Sequence, residues 1–385
     1  MATGEFRPGN AIKLLTSGAE YFPALTEAIG NARQEIFLET YIFADDPTGR
    51  RIADALVAAA ARGVKTRVVI DGFGSSGYIG KLHTQMRANG IEVLVFRPEV
   101  SRLSFKRQRL RRLHRKIAVV DAKIAFVGGI NIIDDMHAPR QIPPRYDYAV
   151  RIEGPLLQDI YPVVARLWRL LRWTNLRRRR LAPPLLTPIT TAVGDKTAAF
   201  LIRDNLRHRR DIEEAYLNAL EGAQHDVVIA NAYFLPGLRF RHALIAAAQR
   251  GVRVVLLLQG RVEYFLLHYA SRALYGSLLA GGVEILEYRK SFMHAKVAVV
   301  DRKWSTVGSS NIDPFSLMLA REANVVIDDQ KFACELRDSL HKAMEEGAVP
   351  IGVRWHSRPL IDRMLTWSCY GGARFLMGIF GYGQR

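Results

Sequence analysis

The sequence HRKIAVVD at residues 114–121 occurs a second time as HAKVAVVD at residues 294–301. Each copy is followed, after the same interval, by a short segment that begins with glycine and ends with asparagine: GGIN at 128–131 and GSSN at 308–311. Histidine, lysine, aspartate, glycine and asparagine thus occupy matched positions around a shared apolar run. This repeat indicates one active site that is built from two homologous halves of the chain.

The two halves also match upstream of the repeated motif. Runs of β-branched and aromatic residues alternate with alanine-rich stretches, which predicts strands that alternate with helices. The expected strands are 35–43, 64–71, 91–96, 226–234, 252–259 and 283–288, and the expected helices include 52–62 and 242–250. Such alternation predicts an α/β fold with right-handed crossovers and mixed, largely parallel sheets that are covered by helices on both faces.

Each motif also begins a pair of short strands. Residues 117–121 and 297–301 are nearly continuous apolar runs, as in strands that are buried on both faces. The chain is expected to turn tightly after each run and to return as a hairpin partner. Asp121 and Asp301 belong to the catalytic motif by sequence, but they stand at these strand ends, where we expect them to fix the turn or to pair with a cation.

The halves are unequal in length. Elements upstream of the motifs are separated by about 188–192 residues, but the motifs by 180, so the first half carries about 12 extra residues before its histidine. Half of the residues in 101–116 are Arg or Lys, which predicts a basic segment at the mouth of the site. We divide the chain into an N-terminal half (1–180), a proline-rich linker (181–195), a C-terminal half (196–350) and an apolar and basic tail (351–385).

Composition favours anionic partners. The chain has 385 residues, enough for two halves with a core each, and a net charge of +18, which suits nucleic acid or an acidic membrane surface. No stretch of about 18 uncharged apolar residues occurs, so membrane contact is expected to be peripheral. A helix expected at 159–175 carries Trp168, Trp173 and three arginines, which fits either a core helix with a solvated basic face or a lipid interface. The tail leaves the same two alternatives open.

The motif supplies the groups that a phosphodiester needs. Side chains two residues apart point to the same face of a strand, so each motif histidine lies beside a lysine. The pairs are His114 with Lys116 and His294 with Lys296, and Asn131 and Asn311 add amide donors. Such a doubled set can bind non-bridging oxygens and stabilise the negative charge of the transition state. The sequence shows no carboxylate cluster of the kind that binds a divalent metal. The lysines can supply the positive charge that such a metal would provide, and we expect no cofactor.

Several segments carry a resemblance to a known family. They include LETYIF at 38–43, IANAYF at 229–234, MHAKVA at 293–298 and VGSSNIDP at 307–314. With the doubled motif, they resemble the phospholipase D superfamily and, more closely, the bacterial cardiolipin synthases of the cardiolipin synthase B type. The resemblance covers roughly residues 6–345. It implies two pseudo-symmetric halves, each a phospholipase D-like α/β/α unit.

The resemblance also implies a two-step transfer through a phosphatidyl-histidine. One histidine attacks phosphorus, and the other protonates the leaving alcohol and then activates the incoming one. The family pattern makes His114 the nucleophile and His294 the acid and base. It also places a carboxylate about 30 residues after each histidine, where this sequence has Asp147 and Glu322. We expect Asp147 and Glu322 to orient His114 and His294.

One departure from the family pattern distinguishes the two copies. The second copy has the usual Gly308-Ser309, whereas the first has Gly128-Gly129. Ser309 is expected to bind phosphate together with the two motif asparagines, and the first half lacks this hydroxyl donor.

The implied activity is cardiolipin synthesis, in which a phosphatidyl group passes from one phosphatidylglycerol to the hydroxyl of another and glycerol is released. The implied location is the bacterial inner membrane, by peripheral attachment to its cytoplasmic face. A monomer suffices for the site, because one chain carries both motifs. Two alternatives stay open: a phospholipase D that uses water or another alcohol, and a nucleic-acid phosphodiesterase or binder. The chain shows no recognisable aromatic–basic nucleic-acid module, so nucleic acid is not an expected partner.

The metal-free mechanism gives a first testable prediction. EDTA should change the rate of phosphatidyl transfer by less than about twofold, because the lysines supply the charge stabilisation. Product lipids are measured by mass spectrometry with and without the chelator. Strong inhibition that an added divalent cation reverses would contradict this mechanism.

Overall fold

Strands and helices alternate along both halves of the chain in the computed structural model. It describes residues 4–98, 111–138, 141–174, 185–204, 208–313, 320–352, 355 and 358–379. The first half contains β1 (Arg7–Thr16), α1 (Ser17–Asn31), β2 (Glu35–Thr40), α2 (Pro47–Ala61), β3 (Lys65–Asp71), α3 (Lys81–Ala88), β4 (Glu92–Phe96), β5 (Lys116–Val120), β6 (Ile124–Gly128), β7 (Arg145–Tyr146), β8 (Tyr148–Glu153) and α4 (Leu157–Thr174).

The second half repeats this order with two differences: β13 precedes the motif strands whereas β7 follows them, and β17 and α9 are additional. It contains β9 (Lys196–Arg203), α5 (Asp211–Gly222), β10 (Asp226–Asn231), α6 (Leu238–Gln249), β11 (Arg253–Gln259), α7 (Phe265–Ala280), β12 (Glu284–Tyr288), β13 (Phe292–Met293), β14 (Lys296–Val300), β15 (Trp304–Gly308), β16 (Glu322–Asp328), α8 (Gln330–Gly347), β17 (Ala348–Pro350) and α9 (Leu360–Ile379). The strands predicted beside the motifs lie within one residue of their expected positions.

One sheet of fifteen strands runs through the described parts of both halves. Its order is β17-β12-β11-β10-β14-β15-β16-β9-β1-β8-β6-β5-β2-β3-β4. The halves join edge to edge where β1 pairs with β9, with Arg7 opposite Ala198 and Asn10 opposite Lys196. From this junction outward, the order in one half repeats in the other, so the halves are related by a pseudo-twofold axis.

The mixed α/β class is confirmed, but antiparallel pairing extends further than we expected. In the main sheet, parallel ladders join β2, β3 and β4 in the first half and β10, β11 and β12 in the second. The other neighbours in that sheet pair antiparallel. The reason lies in the connections, because helical crossovers link the parallel strands whereas tight turns link β5 to β6 and β14 to β15.

Helix starts follow capping residues that are visible in the sequence. The carboxylate of Asp46 accepts a hydrogen bond from the backbone N–H of Gly49, and Pro47 takes the first position of α2. Asp329 caps α8 in the same way, by accepting from the N–H of Phe332. These caps fix where each helix leaves the sheet.

Helix α4 has one face in the core and one face exposed. Trp168 is buried and packs edge-on against Phe37 of β2, with 6.4 Å between ring centroids. The opposite face of the helix exposes Arg166, Arg169 and Trp173. The helix is therefore part of the core and also presents a basic, aromatic surface. No helix within the described ranges is long and apolar enough to span a membrane.

The tail folds as α9, which packs against α7. Cys369 and Ala373 are buried in the apolar cluster that includes α7. The other face of α9 exposes large apolar side chains, among them Leu360, Met364, Trp367 and Phe375. Several predicted features lie outside the described residues, namely 101–110 of the basic segment, the arginine run at 177–180, the linker start at 181–184 and the chain end at 380–385.

Candidate active site

Each motif lies where a buried strand begins, close to the junction of the halves. Lys116 and Lys296 are the first residues of β5 and β14, and both are buried. Each histidine precedes its lysine by two residues. The strand pairings fix the lysines, because β5 lies between β2 and β6 and β14 lies between β10 and β15.

Each histidine is held by backbone hydrogen bonds to the opposite half. The N–H of His114 donates to the carbonyl oxygen of Arg321 at 3.0 Å. The N–H of His294 donates to the carbonyl oxygen of Tyr146 at 2.7 Å, next to the short parallel pairing of β13 with β7. These crossed pairings bring the two motifs together.

The carboxylates also cross between the halves. Nδ1 of His114 lies 2.9 and 3.1 Å from the two carboxylate oxygens of Glu322, in the second half. Nδ1 of His294 lies 2.7 Å from Oδ2 of Asp147, in the first half. Each residue that the sequence singles out as an orienting carboxylate therefore contacts the histidine of the other half. A carboxylate at Nδ1 favours the tautomer with hydrogen on Nδ1 and leaves Nε2 available for chemistry. At His294, Nζ of Lys296 also lies 2.8 Å from Nδ1, so the carboxylate and the lysine compete for this nitrogen.

Ser309, which we expect to bind phosphate, contacts an orienting carboxylate, and its phosphate binding stays a prediction. Its hydroxyl donates to Oε2 of Glu322 at 2.5 Å and accepts from the N–H of Ala323 at 3.0 Å. The side chain is fully buried. Because its proton is already donated, this hydroxyl holds the carboxylate that contacts His114.

The Gly-Gly departure in the first half has a steric cause. A Cβ atom on Gly129 would lie 2.3 Å from a carboxylate oxygen of Asp147. Aspartate is one methylene shorter than glutamate, so its carboxylate must approach the backbone more closely to reach a histidine. The pairs Gly129 with Asp147 and Ser309 with Glu322 are therefore two solutions to the same positioning problem.

The lysines provide the positive charge of the site. Nζ of Lys116 donates to the carbonyl oxygen of His114 at 2.5 Å, and Nζ of Lys296 lies 3.4 Å from Oδ2 of Asp147. Burial lowers the pKa of Lys116 to about 7; Glu322 opposes this shift and the charge of Lys296 adds to it. Within the described ranges, no group of three or more His, Cys, Asp or Glu side chains could hold a metal ion.

Burial lowers the pKa of both motif histidines. For His114, the charge of Glu322 opposes the shift and that of Lys116 adds to it. For His294, the charges of Lys296 and Arg145 lower the pKa further. Both imidazoles are therefore neutral near pH 7 in the free protein, and a neutral imidazole is the form that can attack phosphorus.

The motif asparagines are buried beside the strand ends. Oδ1 of Asn131 accepts from the backbone N–H of Ile42 at 3.1 Å. This bond fixes the amide and leaves its NH₂ group as the donor that a phosphate site requires. Asn311 is equally buried in the second half.

The motif aspartates lie at the far ends of their strands and fix turns. The carboxylate of Asp121 accepts from the backbone N–H groups of residues 33–35, and that of Asp301 accepts from those of residues 224–226. Both residues adopt a φ of 51°, which a tight hairpin turn needs. Strand geometry puts each about 17 Å from the motif lysine, which favours the turn-fixing role over a place in the catalytic set.

Sequence patterns missed two arginines near the site. Arg115 forms a buried ion pair with Glu39 at 2.5 Å, and the second motif has Ala295 at the matching position, so the repeat gives no signal. Arg145 is buried against the ring of Phe292 at 4.7 Å and lies close enough to lower the pKa of His294. Its only sequence signal is that it stands two residues before an orienting carboxylate.

Two crossed His–Lys–carboxylate sets in a pseudo-twofold α/β chain define an active site of the phospholipase D superfamily. The chain belongs to the family described as cardiolipin synthase, PLD-like domain, which matches residues 25–155 and 216–344. It is 42% identical to cardiolipin synthase B of Escherichia coli strain K12 over 345 residues, which cover 87% of this chain and 81% of that protein. It is 40% identical to cardiolipin synthase B of Salmonella typhimurium strain LT2 over 367 residues, which cover 91% and 86%.

A solved structure supports the fold independently. The crystal structure of phosphatidylserine synthase from Haemophilus influenzae Rd KW20 superposes with a TM-score of 0.69 at 14% identity. The match covers 96% of this chain and 94% of that one.

The turn-fixing role of Asp301 predicts a loss of stability without a loss of chemistry. Asp301→Ala should lower the free energy of unfolding by about 2 kcal/mol, because three backbone N–H groups lose their acceptor. Chemical denaturation measures this change, and activity per folded molecule should stay near wild type. Asp54→Ala, at an exposed site in α2, is the matched control. If Asp301→Ala keeps wild-type stability but loses activity, Asp301 has a catalytic role and the turn-fixing role is contradicted.

The lowered pKa of Lys116 predicts a pH dependence. As the pH rises through about 7, this lysine loses its charge, so kcat/KM should fall on the alkaline side. Lys116→Arg should shift that decline to higher pH, because a guanidinium stays charged, whatever the absolute rate of the variant. Steady-state kinetics from about pH 5.5 to about pH 9, where histidine and a lysine of lowered pKa titrate, measures this decline in both proteins. Identical profiles for both proteins would contradict it.

Proposed function

We propose that this protein is a cardiolipin synthase. It transfers a phosphatidyl group from one phosphatidylglycerol to a headgroup hydroxyl of another and releases glycerol. The observation that carries the proposal is the crossed site, in which two histidines with free Nε2 atoms lie beside two lysines in one chain. Membership of the cardiolipin synthase family and the names of its relatives support the substrate.

In the first step, Nε2 of His114 attacks phosphorus. Glu322 holds the Nδ1 hydrogen and stabilises the positive charge that develops on the ring. The bond between phosphorus and the headgroup oxygen breaks, and that oxygen takes a proton from Nε2 of His294. The products are glycerol and a phosphatidyl-histidine. The assignment of His114 as nucleophile follows the family pattern, and its greater exposure, 15% against 8% for His294, supports it.

His294 must be protonated to act as an acid in this step. Its pKa in the free protein is low because burial, Lys296 and Arg145 disfavour the cation. Binding of the anionic phosphodiester places a negative charge beside these cations and raises the pKa of the imidazole. The substrate therefore brings the acid into its active form.

In the second step, Nε2 of His294 takes the proton from a hydroxyl of the acceptor phosphatidylglycerol. The acceptor oxygen attacks phosphorus, and the bond from phosphorus to His114 breaks. Lys116, Lys296 and the NH₂ groups of Asn131 and Asn311 stabilise the charge on the non-bridging oxygens in both steps. Cardiolipin leaves, and both histidines return to their starting state.

Peripheral attachment to the cytoplasmic face of the inner membrane accompanies this function. The exposed apolar face of α9 and the net charge of +18 both suit an anionic bilayer. A monomer forms the site, because each histidine finds its carboxylate within the same chain.

The proposal predicts the products and the effect of two single substitutions. Incubated with phosphatidylglycerol vesicles, the wild-type protein should form cardiolipin and glycerol, and His114→Ala and His294→Ala should each lower the rate by at least about 10³-fold. After an acid quench, peptide mass analysis should find the phosphatidyl adduct on His114. His242→Ala, which alters an exposed histidine of α6, is the control and should retain activity.

Other results would contradict parts of the proposal. Phosphatidic acid without cardiolipin would replace the synthase by a hydrolytic phospholipase D. Cleavage of nucleic acid without lipid transfer would replace the substrate class. Near-normal activity of either alanine variant would contradict a site shared by both histidines.

A further inference from the structure

A small cavity one side chain away from His294 has no role in the mechanism described above. It lies between the end of β11 and the start of α7 and is partly open to solvent. Most of its lining is apolar, and the polar side chains around it are Tyr233, Gln259, Arg261, Glu263, Tyr264, His268, Ser271 and Tyr275. In α/β folds, ligands bind outside the carboxyl ends of parallel strands, and this is the position of the cavity.

Gln259 is the group in this cavity that most needs a partner. Its side chain is only 6% exposed, and both its amide nitrogen and its amide oxygen lack a hydrogen-bond partner among the described residues. A buried amide that makes no hydrogen bond costs about 1–3 kcal/mol, so such groups are normally satisfied by protein, water or ligand. Gln259 therefore lines the cavity with a buried donor and a buried acceptor that no described residue satisfies.

In the first half, the position that matches Gln259 holds Asp71, whose side chain has hydrogen-bond partners. Asp71 ends β3 as Gln259 ends β11, and each is the seventh residue of its strand. The carboxylate of Asp71 accepts from the backbone N–H groups of Phe73, Gly74 and Leu113. The first half thus uses this position to hold its own loops, and the second half leaves it open toward a cavity.

The cavity connects to the catalytic histidine through Tyr233. The ring of Tyr233 packs edge-on against the imidazole of His294, with 6.2 Å between centroids. Its hydroxyl donates to Glu263 at the exposed rim. A carboxylate that accepts from one hydroxyl keeps lone pairs for further hydroxyl donors.

We propose that this cavity binds the glycerol headgroup of the lipid, first as leaving group and then as acceptor. This inference rests on the proposed function. Gln259 can donate to one hydroxyl and accept from another, and Glu263 accepts from a third group at the rim. An acyl chain would leave the amide of Gln259 unsatisfied, whereas a neutral polyol can satisfy this amide and also donate to Glu263.

The position of the cavity also fits the chemistry. His294 transfers the proton to the leaving oxygen and takes it from the incoming one, so both oxygens must pass its Nε2 atom. A polyol cavity on that side holds a hydroxyl near His294 and disfavours water, which lacks the further hydroxyls that the lining recognises. The residues that select the acceptor are therefore Gln259 and Glu263, in the second half.

The test measures how the common phosphatidyl-enzyme partitions between two alcohols. Wild-type protein is incubated with phosphatidylglycerol vesicles and equal concentrations of ¹³C-glycerol and 1-propanol, which lacks the extra hydroxyls. Mass spectrometry then gives the ratio of labelled phosphatidylglycerol to phosphatidylpropanol. Because both products arise from the same intermediate, this ratio does not depend on the rate of the first step.

Gln259→Leu should lower the glycerol-to-propanol ratio about tenfold, because the leucine cannot hydrogen-bond to the polyol. Glu263→Ala, at an exposed position that tolerates substitution, should lower the ratio in the same direction. Gln249→Leu, the same change at an exposed site on α6, is the matched control and should keep the wild-type ratio.

The outcomes separate the two proposals. A ratio that stays at the wild-type value in both Gln259→Leu and Glu263→Ala overturns the glycerol-binding cavity, even if the wild-type protein forms cardiolipin. A wild-type protein that forms no cardiolipin overturns the synthase assignment; a ratio that still falls in both variants then supports the cavity as a polyol site.

Discussion

The active site depends on an exchange of carboxylates between the two halves of the chain. Glu322 reaches from the second half to His114, and Asp147 reaches from the first half to His294. Both contacts are made at Nδ1, so each imidazole has a fixed orientation in which Nε2 does not face the carboxylate. Neither half holds a complete site. The backbone pairings of His114 with Arg321 and of His294 with Tyr146 exist because the halves meet at this surface, and the continuous sheet through β1 and β9 keeps them there.

The pseudo-symmetry is broken where the two histidines need different properties. In the first half a glycine at 129 makes room for the short Asp147, and in the second half Ser309 supports the longer Glu322. The ends of β3 and β11 differ as well. The carboxylate of Asp71 accepts hydrogen bonds from backbone N–H groups of the loops, whereas Gln259 lines a cavity. These differences lie around His294 as well as around His114, so the two histidines have different surroundings although their motifs match. Under the proposals above, the duplicated motif provides the phosphate chemistry and the unmatched positions select the acceptor.

Much of this arrangement could be predicted from the sequence. Periodicity located the motif strands, because continuous apolar runs such as 117–121 are typical of strands buried on both faces. The repeat identified both His–Lys pairs, and the family pattern pointed to Asp147 and Glu322. Spacing could not reveal that the carboxylates cross, because distance along the chain carries no information about which half a side chain reaches. It also could not show that Ser309 donates to Glu322, that Arg115 pairs with Glu39, or that Gln259 has no partner, since each depends on tertiary contacts between distant segments.

The crossed carboxylates have a consequence for biosynthesis. Glu322 follows His114 by 208 residues, so this histidine leaves the ribosome long before the carboxylate that contacts it. At a synthesis rate of about 5–20 residues per second, the delay is on the order of 10–40 s. During that time the histidine of the nascent first half has no carboxylate at Nδ1. The crossed site can therefore assemble only after both halves have been made.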